Sequence, residues 1–215
     1  MQESKTKEKI LKKIRQALIH KTENRFLKLD FDSPVHEMSD IPLEVMFAHE
    51  FTKVNGHFVF CEDELEFAEH LVPLSHEKKW ERLFCGEERI KKILTSCDIP
   101  FESDSAKLTT CETGITLCEN LVARTGTVMV SSRQTSGRRA PVFPDNHLVL
   151  AFTSQLVPDM KDALLALRTK YNEQIPSMIS AITGPSRTAD IEKTLVQGAH
   201  GPKEIFVFLV DDTTV

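Results

Sequence analysis

Apolar positions change period several times along the chain. Over 3–21, Ile10, Leu11, Ile14 and Leu18 recur at helical spacing among lysines, which predicts a charged amphipathic helix. The period is lost over 24–42, where Pro34, Pro42, Asp30, Asp32 and Glu37 give the composition of a linker. From 43 onward, short apolar runs alternate with amphipathic ones. Val45, Met46, Phe47, Phe51 and Val54 predict a helix closed by Asn55–Gly56. A strand is expected over 57–61, then a helix over 63–74 with Leu65, Ala68 and Leu71 or Val72 inward. Another strand follows over 82–85 and another helix over 87–95. Strands alternating with helices of this length predict crossover units and a mainly parallel sheet.

The texture changes at Leu108. Threonine-rich 109–118 shows no clear period. The β-branched runs 120–123 and 127–131 flank Arg124-Thr125-Gly126 and predict a β-hairpin, with Gly126 supplying a positive φ. A polar loop over 134–145 follows, then a strand over 147–152. The helix predicted over 158–171 has Pro158 in its first turn and Met160, Ala163, Leu164 and Leu167 inward. Last come a buried strand over 178–183, a turn over 184–186, a short helix over 188–197 and a buried strand over 205–210. Together these predict a right-handed βαβ unit. The expected fold class is α/β: a mainly parallel open sheet with flanking helices, a β-hairpin and an N-terminal helical arm. Two parts are expected, the arm and linker over 1–42 and the α/β domain over 43–215.

Composition narrows the class. Of 215 residues, 40% are hydrophobic and 27% charged, which excludes a disordered or collagen-like chain. The net charge of -5 argues against a nucleic-acid binder. No apolar run approaches the roughly 18 residues of a spanning helix, and the charged start has no apolar stretch behind it. A cytoplasmic protein is expected. The charge is uneven, however, with eight lysines and arginines before Phe26. The helix they cover is either a docking arm for a partner or anionic surface, or a helix laid across the domain or a symmetry mate with its lysines solvated. Cys61, Cys85, Cys97, Cys111 and Cys118 show no C-x-x-C spacing. Free, mostly buried thiols are expected, with no metal and no cofactor in this chain.

Four segments carry candidate chemistry, and no P-loop, dinucleotide, nucleophile-elbow or zincin motif is present. In Thr183-Gly184-Pro185-Ser186-Arg187-Thr188, a strand ends, glycine permits close approach and hydroxyls precede a helix start, the pattern of an anion site. The same hydroxyls serve equally as a helix cap, with Asp190 and Glu192 complementing the dipole. Thr125-Gly126-Thr127 is either a second ligand turn or a turn whose glycine is needed for geometry alone. Arg133, Arg138 and Arg139, near Ser131, Ser132 and Ser136, suit a carboxylate or phosphate clamp or a solvated loop. His200, between Gly198 and Gly201, is a proton-transfer candidate or a backbone cap, and His147 at a strand start suits a structural role. Asp190, Glu192 and His200 are thus the acid/base candidates.

These residues carry a resemblance. Gly184-Pro-Ser-Arg-Thr-Ala-Asp-Ile-Glu192, then Leu195-Val-Gln-Gly-Ala-His-Gly-Pro202, resembles the signature of the LUD-domain family, the family of the lactate-utilisation C proteins. Arg124-Thr-Gly-Thr127 and Pro144-Asp-Asn-His147 sit where that family has its other motifs. The resemblance is strong over 115–211, weaker back to 43, and does not reach the basic helix. It implies a fold like that of CoA transferases, ribose-phosphate isomerases and formyltetrahydrofolate cyclo-ligases. It also implies a cytoplasmic role in oxidising L-lactate to pyruvate with partner proteins, at least one carrying iron–sulfur clusters. The family commonly has an acid where this chain has Arg124, and the resemblance supplies no catalytic residue. Three functional classes follow: a non-redox subunit of a lactate-oxidising system that binds a small anion, a stand-alone enzyme for a phosphorylated, folate-like or CoA-linked carboxylic substrate, and a non-catalytic interaction module. A homo-oligomer is compatible with all three.

Overall fold

The computed structural model describes residues 3–19, 33, 36, 40–188 and 196–213. The chain divides into two compact units, 1–40 and 41–215. In the first, α1 (Glu3–Ile19) is the expected amphipathic helix. Most of the expected linker lies outside the described residues.

The second unit begins with α2 (Leu43–Lys53), β1 (His57–Cys61), α3 (Glu64–Lys78), β2 (Leu83–Cys85) and α4 (Glu88–Ser96). Next come β3 (Thr113–Leu117), β4 (Asn120–Val122), β5 (Thr127–Ser131), β6 (Asn146–Phe152) and β7 (Leu156–Val157). The chain ends with α5 (Met160–Lys170), β8 (Ile179–Ile182), β9 (Arg187–Thr188), β10 (Val196–Gln197) and β11 (Glu204–Val210).

Five strands form the central sheet in the order β1-β11-β6-β3-β2, with every pairing parallel. Its central strands are buried on both faces, which is why 147–152 and 205–210 read as unbroken apolar runs. On one face Leu148, Leu150, Phe206 and Phe208 pack against Phe67 and Leu71 of α3 and Ile90 and Leu94 of α4. On the other, Val149, Ala151, Val207 and Leu209 meet Phe47 and Phe51 of α2 and Leu121, Val128 and Val130 of the hairpin. A four-stranded sheet in the order β7-β4-β5-β8 completes this second layer. Helix α5 covers its outer side, with Ala163 and Leu167 against Val122 and Met129.

Several expectations change. β3 is a strand although its sequence shows no period, because buried Thr113, Gly114 and Thr116 stand where aliphatic residues would reveal it. Helix α3 runs past Pro73 to Lys78, where Lys79 turns left-handed and buried Trp80 closes the end, its backbone N–H donating to Ser75 O. Leu164, expected inward on α5, is exposed, and Pro158 lies before the helix, whose N-cap is Asp159. The largest change is at the C-terminal end. The βαβ unit does not form: β8 joins the small sheet, antiparallel to β5. Both ends of the expected helix over 188–197 are extended and pair as antiparallel β9 and β10. Its middle, with Asp190 and Glu192, lies outside the described residues.

Candidate functional site

The glycine turns of the hairpin and of 183–188 meet. Thr127 Oγ1 lies 2.7 Å from Thr125 Oγ1 and 2.8 Å from Thr183 Oγ1. What approaches their glycines is the chain's own helix α2. A methyl group on Gly126 (φ 57°) would stand 2.4 Å from Phe51 N, and one on Gly184 (φ 83°) 2.4 Å from Val54 O. Gly126, Thr127, Gly184 and Pro185 are buried, and Arg187 donates to Val54 O at 2.7 Å. The glycines therefore seat a helix end.

The 183–188 turn also meets the His200 loop, because β9 and β10 pair. Ser186 N donates to Pro202 O at 2.9 Å, and Gly201 lies against the Ser186 side chain. His200 is exposed. These loops sit beside the starts of β6 and β11, where Lys203 N donates to Asp145 O. They lie at the amino edge of the parallel sheet, whereas ligands of such sheets bind outside the carboxyl ends.

Arg124, placed by the family pattern where an acid is common, makes a two-pronged ion pair with Asp159 at 2.8 and 3.0 Å. Asp159 also caps α5 through Met160 N. The arginine thus ties the hairpin turn to a helix start.

The carboxyl edge presents different residues. From β2 the chain leaves across the α4 face, and from β3 across the small-sheet face. The ends of β2 and β3 therefore form the kind of switch point at which α/β sheets place their ligands. The loop 132–145 passes here, beside two buried carboxylates that sequence reasoning did not single out: Glu119 fixes the strand end before the loop and Glu87 the loop itself. The fully buried Glu119 side chain accepts from Ser131 Oγ at 2.6 Å and from Lys170 Nζ and Tyr171 OH at 2.7 Å. Burial opposes its ionisation, yet these hydrogen bonds carry its carboxyl below the ordinary glutamate range. Glu87, also buried, accepts from Ser136 N at 3.0 Å and Ser136 Oγ at 2.7 Å. Gly86 lets the loop close on β2, since a methyl group there would be 3.2 Å from Ser136 Cα. An acid flanked by apolar strands, as Glu119 is, was the available signal.

Beside this loop lies a cleft of about 370 Å³ lined by Phe84, Gly86, Lys91, Ser103, Ser105, Leu108 and 135–139. It contains Arg138, whose Nη2 donates to Ser177 Oγ at 2.6 Å, and Arg139. Arg133 lies outside it, over the Tyr171 ring. A larger cleft of about 640 Å³ at the ends of β1, β6 and β11 mixes Asp63, Glu64, Asp211 and Asp212 with Arg89 and Lys92. Its charges are largely committed. Asp63 caps α3, Arg89 pairs with Glu64 and stacks on Phe152, and Asp212 is held by Thr153 and Ser154. Among the described residues, no group of three or more His, Cys, Asp or Glu is placed to hold a metal ion. No described helix is long and apolar enough to cross a membrane.

A parallel sheet backed by a small mixed sheet, with a loop clamped at the switch point, defines the class: a two-sheet α/β protein. The chain belongs to the LUD domain family, whose model matches residues 43–210. It is 36% identical over 129 residues to Lactate utilization protein C of Bacillus subtilis, covering 59% of this chain and 48% of that one. Over 101 residues it is 38% identical to the protein of that name from Halalkalibacterium halodurans (46% and 44% covered) and 37% identical to that from Bacillus licheniformis (46% and 42%). The matches thus span about half the length of these curated relatives. A crystal structure of a DUF162 family protein from Deinococcus radiodurans superposes with a TM-score of 0.58 at 18% identity, covering 81% of this chain and 99% of that one. That likeness shows the fold.

Proposed function

We propose that this protein is a cytoplasmic, non-redox component of a lactate-utilisation system that takes L-lactate to pyruvate. The observation that carries the reading is the LUD domain match over 43–210, together with relatives named Lactate utilization protein C. Oxidation of lactate releases two electrons, and in this reading iron–sulfur partner proteins carry them. Cysteine chemistry supports that division of labour. The five thiols are free and four are buried. Burial pushes Cys61 up to about 12 and Cys85 to about 11, so as free thiols both stay protonated and unreactive.

Deleting the gene in a strain without other lactate-oxidising enzymes should abolish growth on L-lactate, and a plasmid copy should restore it. Undiminished growth of the deletion strain would overturn the reading. A tagged chain should also co-purify proteins with iron–sulfur absorbance, whose absence would remove the partners from it. The stand-alone-enzyme reading asks for the hairpin turn, the 183–188 turn and His200 in one concave pocket. The buried glycines and the exposed His200 do not favour it.

A further inference from the structure

The chain carries a net charge of -5, yet a cleft beside the 132–145 loop is lined by three cations, with acids only behind it, where Glu87 holds Ser136 and Glu88 holds Lys91. That cleft, at the carboxyl end of β2, gathers Lys91, Arg138 and Arg139 with the hydroxyls of Ser103, Ser105 and Ser136. The larger cleft, with four carboxylates beside two cations, offers no such charge preference. The three-cation cleft is also constructed rather than incidental. Glu87 holds Ser136 by two hydrogen bonds, and Gly86 leaves the loop room to close. Ser177 Oγ accepts from Arg138 at 2.6 Å and steers its guanidinium. Lys91 pairs with Glu88, whose side chain is 76% exposed, so that pair is weak and easily exchanged for a stronger anion.

We propose that this cleft binds a phosphate monoester carried on a small carbon skeleton. A carboxylate is a monoanion that one bidentate arginine satisfies. Two guanidiniums and an ammonium instead match a dianion with three terminal oxygens once Arg139 turns from the Phe143 ring it lies over, and the Ser103 and Ser105 hydroxyls donate to the oxygens that remain. About 370 Å³ is near the lower end of ligand pockets, enough for a phosphate and a few carbons. Phe84 and Leu108 give the carbons an apolar wall. The place, outside the carboxyl end of a parallel strand at a switch point, is where such sheets take ligands. The inference is independent of the lactate role.

Calorimetric titration of the full chain at constant ionic strength tests it, with glycerol 3-phosphate, inorganic phosphate and L-lactate as probes. Glycerol 3-phosphate should bind saturably with one site per chain. The Arg138→Gln/Arg139→Gln pair should weaken it at least about tenfold, and Lys91→Gln, tested separately, should weaken it too. L-lactate should give no saturable signal. No saturable binding of either phosphate probe would overturn the proposal. So would equal affinity in the paired variant and in Lys91→Gln, which puts the site elsewhere, or L-lactate binding more tightly than glycerol 3-phosphate, which makes it a carboxylate site. Circular dichroism of each variant establishes that it is folded. Should the paired variant unfold, Lys91→Gln decides alone.

Discussion

At the residue scale, glycines and buried polar groups separate support from chemistry. Gly126 and Gly137 both have positive φ, 57° and 64°, but only Gly126 has a neighbour where a side chain would begin. Gly137→Ala should cost about 1 kcal/mol of backbone strain. Gly126→Ala adds a collision with the α2 backbone and should cost at least about 3 kcal/mol, as urea unfolding would measure. His147 is buried with Nε2 2.9 Å from Thr116 Oγ1 and no partner for Nδ1 among the described residues. Burial holds its pKa down to about 3. Between the ordinary imidazole value near 6.5 and about 3, the unfolded chain binds a proton that the folded chain refuses. Stability therefore drops as the pH is lowered through that window, by up to about 1.4 kcal/mol per unit. Unfolding at pH 5 should show a loss of about 2 kcal/mol relative to pH 7, and His147→Gln should flatten the slope. Glu119, its pKa lowered, extends the acid loss below about pH 4.5, where the unfolded chain's carboxylate takes up a proton that the folded one still refuses. Glu119→Ala leaves Lys170, Tyr171 and Ser131 without their acceptor and should cost about 3 kcal/mol. Lys170→Ala should cost less, about 1–2 kcal/mol, because the buried carboxylate loses its cation but keeps the Ser131 and Tyr171 hydroxyls.

At the element scale, α2 holds the two sheets in register. Its Phe47 and Phe51 fill the layer between the central sheet and the hairpin, their rings stacked 5.2 Å apart. Its last turn seats Gly126 and Gly184. Phe51→Ala should thus cost about 3–5 kcal/mol in denaturant unfolding, while exposed Leu164 of α5 should tolerate alanine with under about 1 kcal/mol lost. Elements with strong local signals were legible: α2, β1, α4, β6 and β11 lie within a residue or two of their sequence positions. β3 was not, because its burial is satisfied by threonine and glycine. The helix over 188–197 failed at its ends, where Gly198 N donates to Ser186 O, Ser186 N donates to Pro202 O, and 187–188 pair antiparallel with 196–197. Local helix spacing at Ile191 and Leu195 could not reveal that pairing.

For the whole molecule, buried thiols give a global readout of the fold. In the native chain, half-buried Cys97 should react first with a thiol reagent near pH 8, and the other four only as the chain unfolds. A second fast thiol would contradict the core described above. The sequence by itself determined the α/β class, the order of most elements and the family resemblance, because periodicity and turn residues are local properties. Only the tertiary structure decided which strand pairs with which, since β8 chooses its sheet by contacts across about 50 positions of chain. That choice turned the Gly126 and Gly184 turns toward α2 and put them at the amino edge. Glu87 and Glu119 likewise became a clamp only when folding carried them out of water and onto donors far away in sequence. A carboxylate's neighbours, and hence its charge and its role, are not written in its own stretch of chain.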